Sequence, residues 1–260
     1  MGMPHREHRA NTARRILPEP WAGHPFVARL ERLIRLSEDD LDSLWRLIEA
    51  DIKVKKRRDL VVDGYEYRKL CFVEEGFAAR YKILRNGKRQ VVNFLLPGDI
   101  VGLPGSFLQK ARYSVIAVTD LRLQVCSLSA YVQLCYERPQ FGLALSWLAV
   151  EEATMCAEHT INAGRRTPTE RLAHFLLEVH ARLATVGQAS DTSFVLPLSQ
   201  EIISDALGLS VPHLNRTLAE LRGEGLVAIE GRRVELVDRD ALERVGHYQP
   251  LNLTRIPSAP

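Results

Sequence analysis

The chain has 260 residues, 46% of them hydrophobic and 26% charged, with a formal net charge of +3. This composition excludes a disordered, collagenous or disulfide-framework protein and leaves room for one large or two modest domains with their own cores. No run of 18 apolar residues offers a membrane span; the scattered cysteines (Cys71, Cys126, Cys135, Cys156) read as free thiols of a reducing cytoplasm; and so small a net charge means that nucleic-acid affinity must come from locally placed arginines.

Residues 1–22 are polar and basic with no apolar segment behind them, so a disordered tail is expected rather than a secretion signal. From 26 to 50 apolar residues recur at helical spacing (Leu30, Leu33, Ile34, then Leu41, Leu44, Trp45, Ile48), and Ser37 before Asp39 and Asp40 reads as an N-cap with an acidic first turn. From about 51 to 130 short β-rich runs alternate with turn signals at Asp63-Gly64, Glu75-Gly76, Asn86-Gly87 and Pro97-Gly98-Asp99. That spacing predicts a sandwich or barrel, and Asn86-Gly87 predicts a two-residue type I′ hairpin.

Residues 139–164 carry one long helical pattern with two stripes. The first is Phe141, Leu145, Leu148, Glu152 and Met155; the second is Leu143, Trp147, Val150, Thr154, Ala157 and Ile161. A helix apolar on two sides must be covered on two sides. One side is expected on the β domain and the other on a second copy of the chain, with Leu145, Leu148, Glu152 and Met155 assigned to the dimer interface.

Thr167-Pro168-Thr169-Glu170 is a capping box with proline in the first turn, opening a helix whose inner face is Leu172, Phe175, Leu176, Val179 and Leu183. Phe194-Val195-Leu196 reads as a short strand. Next, LSQEIISDALGLSVPHLNRTLAELRGEG (198–225) places Gly208-Leu209-Ser210 between two short amphipathic segments. Gly208 suits the left-handed conformation of a tight interhelical turn, Ser210 caps the second helix, and Pro212 sits where no intrahelical N–H is lost: a helix-turn-helix. The second helix presents Val211, Pro212, His213, Asn215 and Arg216 from its first turns. Asn215 and Arg216 are of the types that read adenine and guanine edges in a major groove. GLVAIEGRRVELV then alternates in period two about Glu230-Gly231-Arg232, a β-hairpin wing with Arg232 and Arg233 at its tip for phosphate contact. Residues 165–260 hold 11 Lys+Arg against 12 Asp+Glu, a net of −1, so DNA binding there depends on arginines converging on one face.

These motifs, with NFLLPGDIVGLPGSF (93–107), resemble the cyclic-AMP receptor/fumarate-nitrate regulator superfamily of bacterial transcription factors, in a version similar to its α-proteobacterial members. The resemblance spans about 50–240. It implies an α+β fold: a tail over 1–22, an N-terminal β-roll of the cyclic-nucleotide-binding jelly-roll kind with leading helices over 23–138, a dimerisation helix over 139–164, a winged helix-turn-helix over 165–245 and a C-terminal tail over 246–260. It implies a cytoplasmic homodimer on a pseudo-palindromic operator, with double-stranded DNA and RNA polymerase as partners, Asn215 and Arg216 reading bases, and His213, Arg232 and Arg233 on phosphates.

The effector position departs from the family pattern. Cyclic-AMP binders present Gly-Glu-x-Gly and Arg-Ser, where this chain has Gly102-Leu103-Pro104-Gly105 and Tyr113-Ser114, with Arg112 adjacent. A threonine-serine pair on the long helix stands here as Cys156-Ala157. Losing both charge partners removes charge-assisted bonding to the ribose and phosphate, so cyclic AMP is not expected. Gly102, Leu103, Gly105, Ser106, Arg112, Tyr113, Ser114 and Cys156 remain the candidate pocket, between the roll and residues 145–160, for an unidentified small molecule. The alternative is a ligand-independent regulator. An iron–sulfur cluster lacks the cysteine group that family relatives carry near the N-terminus. No histidine occurs from Pro25 through Glu158, which leaves a cupin-like metalloenzyme without its ligands, and no nucleophile elbow supports Ser-His-Asp catalysis. No enzyme activity, metal or cofactor is therefore expected.

Overall fold

The computed structural model describes residues 23–103, 105–251 and 255; the expected tail over 1–22 and Pro104 lie outside them. Two short helices lead, α1 (Pro25–Glu31) and α2 (Glu38–Leu47). Ser37 caps α2 through a full capping box with Asp40, each side chain taking the other's backbone N–H.

Two four-stranded antiparallel sheets follow. One has the order β1 (Ala50–Val54), β8 (Leu121–Ser127), β3 (Lys69–Glu75), β6 (Ile100–Val101); the other β2 (Asp59–Val61), β7 (Ser114–Ala117), β4 (Ala78–Ile83), β5 (Arg89–Leu95). Val73, Leu95, Val101, Val115, Leu123 and Val125 fill the space between the sheets. Strand alternation sends Cys71 into that core and Cys126, on the neighbouring strand, to the opposite face beneath the helices. Both thiols are free, and burial pushes Cys126 up to about 12.

The hairpin between β4 and β5 differs from the sequence expectation. Gly87 donates to the Leu84 carbonyl at 2.9 Å and takes φ +79, whereas among the described residues the only non-glycine ones with positive φ are Arg57 and His247. Asn86 therefore stays out of the left-handed region. The loop is a three-residue connection, one turn closed by a left-handed glycine, rather than type I′.

A helix not anticipated from the sequence, α3 (Leu128–Glu137), is capped by Ser127 and runs into α4 (Pro139–Gly164). Phe26, Leu30, Phe72, Tyr131, Phe141 and Leu148 form a second core that clamps α1–α4 onto the outside of the first sheet. The last module comprises α5 (Pro168–Thr185), β9 (Ser193–Val195), α6 (Gln200–Leu207), α7 (Val211–Gly223), β10 (Val227–Glu230), β11 (Arg233–Leu236) and α8 (Arg239–Gly246). Its core is continuous with the outer face of β5, where the Phe94 and Phe175 rings lie 5.7 Å apart.

Candidate functional site

At the end of α6 Gly208 takes φ +67, and Ser210 then caps α7 by accepting the His213 N–H. Leu214, Thr217 and Leu221 turn inward, the Thr217 hydroxyl being satisfied by the His213 carbonyl at 3.0 Å. Ser210, Pro212, Asn215 and Arg216 are exposed on the opposite face, with Val211 and His213 half-buried beside them. Among the described residues neither the Asn215 nor the Arg216 side chain joins a hydrogen bond or ion pair, and both are exposed on the first turns of the helix. The wing forms as β10 pairs with β11, and β9 adds a third strand. Arg232 and Arg233 are exposed there, but Arg233 donates to the Ser193 hydroxyl at 2.6 Å and is thereby tied back toward β9.

The expected effector residues lie together, but the space among them is filled. Gly102, Leu103, Gly105, Arg112 and Tyr113 line a void of only about 20 Å³, and a second of about 20 Å³ lies between Leu103, Leu148, Glu152 and Met155. Each holds about one water, whereas a nucleotide-sized ligand needs roughly 300 Å³ or more. The plug is Arg80 of β4, whose guanidinium donates to the Glu152 carboxylate of α4 and to the Leu103 carbonyl. The Arg80 side chain is 5% exposed. Gly102 could not be replaced, because an added Cβ would sit 2.4 Å from the Lys69 carbonyl oxygen. Ser106 is spent on that same carbonyl at 2.6 Å, and Ser114 accepts the Asp63 N–H at 3.1 Å. Cys156 does not join the small voids; it faces a larger cleft nearer the helix-turn-helix.

The interface assignment on α4 is corrected. Leu148 and Met155 are buried against the chain's own roll, Leu145 packs on the same core, and Glu152 is engaged by Arg80. The stripe left outward is the other one, with Leu143 48%, Val150 58% and Ile161 45% exposed. The sequence could not separate the faces, because both are apolar and the deciding partner, Arg80, is 72 residues away.

Sequence reasoning also missed a buried charge network where the modules meet. Asp99, from the Pro97-Gly98-Asp99 turn, is engaged by Arg29 of α1 and by Arg182 of α5 at 2.5 Å; Arg29 also holds Glu151 of α4 at 2.6 Å. Burial alone would raise the Asp99 carboxyl, but the Arg182 and Arg29 charges outweigh it and hold it low. His159 of α4 sits between the Val92 carbonyl of β5 at 3.1 Å and the Glu178 carboxylate of α5 at 2.7 Å. Both partners are obligate acceptors, so only the imidazolium satisfies both. Burial opposes that charge, yet Glu178 lifts the His159 pKa above its ordinary value, and His159 in turn helps bring Glu178 down to about 2. No helix among the described residues is long and apolar enough to cross a membrane.

The matches to known proteins agree with this arrangement. The Crp-like helix-turn-helix domain matches residues 170–245 and the cyclic nucleotide-binding domain matches residues 51–137. The chain is 33% identical over 171 residues to the nitrogen fixation regulation protein FixK of Bradyrhizobium diazoefficiens, covering 66% of this chain and 71% of that protein. It is 31% identical over 168 residues to the transcriptional activator protein FnrL of Cereibacter sphaeroides, covering 64% and 67%. The solved structure of FixK2 from Bradyrhizobium japonicum matches with a TM-score of 0.70 at 26% identity, over 77% of this chain and 98% of that one. The chain belongs to the Crp/Fnr family of DNA-binding transcription regulators. The family is one of regulators rather than enzymes, and a cyclic-nucleotide-binding-like roll followed by a helix-turn-helix is its fold.

Proposed function

We propose that this regulator acts in the cytoplasm as a homodimer on a pseudo-palindromic operator, that its bases are read by Asn215 and Arg216, and that cyclic AMP is not its effector. The observation that carries the reading is the outward, unpaired first turns of α7. Ser210, Val211 and Pro212 set the approach of that helix to the groove, and His213, Arg232 and Arg233 supply phosphate contacts, Arg233 after releasing Ser193. The dimer forms through Leu143, Trp147, Val150, Thr154, Ala157 and Ile161. Their spacings of 4, 3, 4, 3 and 4 are the a/d pattern of a two-stranded coiled coil; Leu143, Val150 and Ile161 stand exposed along it, while Trp147 is half-buried and also packs on the chain's own second core. RNA polymerase is the further partner of the promoter-bound dimer.

The Arg80–Glu152 pair supports a roll that does not wait for a cyclic nucleotide, since it supplies from within the chain the charges that such a ligand would contact. Footprinting on genomic DNA tests the proposal: two protected half-sites about one helical turn apart are expected, occupied by two chains and unaffected by added cyclic AMP. A single unpaired half-site, or protection that appears only with cyclic AMP, contradicts it.

A further inference from the structure

We propose that Pro212 reads a thymine in each half-site by packing its ring against the C5 methyl group, one helical turn ahead of Arg216. This rests on the regulator reading above, and it makes the apolar residue that leads α7 a determinant of operator sequence.

One exposed ridge runs along α7: Pro212, Asn215, Arg216 and Ala219, at the i, i+3, i+4 and i+7 spacing of a single helix face. Leu214, Thr217 and Leu221 are buried on the opposite face and fix the rotation of the helix, so Pro212 faces what Asn215 and Arg216 face. At a rise of about 1.5 Å per residue, Pro212 stands about 6 Å ahead of Arg216 along the axis, close to two base steps of about 3.4 Å. The leading residues of such a helix are the ones that reach base edges.

The first turn has little to give a phosphate. Pro212 carries no N–H, and the Ser210 hydroxyl takes that of His213 at 3.4 Å, which leaves only the Val211 N–H in that turn. Nor is the proline needed to start the helix, since Ser210 already caps it. What Pro212 brings to the groove is a rigid apolar ring with no donor, no acceptor and no rotamer freedom to lose. In the major groove guanine presents acceptors, cytosine an amino donor and adenine one of each; thymine alone adds a methyl group. Against the first three the ring would strip water from polar edges and bond none of them. Against thymine it buries the methyl. One side chain therefore favours thymine and penalises the other three bases.

A base-analogue scan of the footprinted operator tests this on the full-length protein. Uracil in place of thymine removes the methyl and nothing else, and 7-deazaguanine in place of guanine removes the N7 acceptor that an arginine takes. For the wild type, uracil at one thymine of each half-site is expected to weaken binding about fourfold per half-site, and tenfold or more when both are changed. That thymine should lie within about two base pairs of the guanine whose 7-deaza analogue weakens binding. In Pro212→Ser the thymine and uracil operators should bind alike, while the 7-deazaguanine penalty persists. Pro212→Gly, which leaves no side chain at the position, repeats the comparison if the serine variant does not bind. No thymine with a uracil penalty, a penalty far from that guanine, or a penalty that persists in the variant overturns the proposal while the operator preference stands. A wild type with no preference for operator over random duplex would instead sink the regulator reading, and this proposal with it.

Discussion

Replacing Glu152 by glutamine keeps the volume and one acceptor but removes the charge that faces Arg80. The Arg80 side chain is 5% exposed and among the described residues its other hydrogen bond is to the Leu103 carbonyl, so its guanidinium would be left buried with both partners neutral. Breaking a buried ion pair by removing one member costs about 3–5 kcal/mol. Glu152 keeps 23% of its side-chain exposure, which lets water relieve part of that, so about 2–3 kcal/mol is expected. Urea unfolding of the wild type, Glu152→Gln, Arg80→Met and the double variant Arg80→Met/Glu152→Leu provides the assay, run at two protein concentrations because dimerisation adds to apparent stability. The double variant should recover most of the loss, since an apolar pair fills the same space without a stranded charge. Sedimentation of Glu152→Gln should match the wild type, because the residue faces its own roll. A loss under about 0.5 kcal/mol, or conversion to monomers with stability unchanged, would refute the plug.

Two further outcomes are expected. Val150→Glu should give monomers by sedimentation with secondary structure unchanged, since Val150 stands outward mid-stripe on α4; a persistent dimer would place the interface elsewhere. The pH dependence comes from His159 and Glu178. The raised His159 pKa contributes stability fully below its ordinary 6.5, and that contribution is lost as pH rises through the higher folded value. The lowered Glu178 pKa contributes above its ordinary 4.5, and that part fades as pH falls toward about 2. The stability difference between wild type and His159→Gln should therefore shrink as pH rises above the ordinary 6.5 and through the raised folded value; a constant difference would mean that the imidazole is not charged in the folded protein.

The sequence was most legible where the signal is local. The Ser37 N-cap, the Thr167 capping box, the Gly208 turn and the Ser210 cap each depend on residues within four positions of one another, and each forms as read, Ser37 gaining a reciprocal bond from Asp40 besides. The reading lost force where the deciding partner is remote. Nothing near Glu152 reveals that Arg80 awaits it, so the two stripes of α4 could not be told apart. Asp99, Arg29 and Arg182 lie 70 and 83 residues apart, and their network was invisible for the same reason. The Asn86-Gly87 signal gave the hairpin its place but not its type, since the local dipeptide fits both a two-residue and a three-residue loop. Apart from Cys156, the pocket residues were identified as neighbours, yet the volume among them depends on a strand residue outside the motif.

The central claim is that α7 reads bases through Arg216. Competition binding of the wild type and Arg216→Ala to the footprinted operator and to random duplex, at one fixed salt concentration, tests it most directly. The account predicts that the variant loses about 1–3 kcal/mol of preference for the operator while its affinity for random duplex changes little. Equal losses on both DNAs would make Arg216 a phosphate contact and contradict the account.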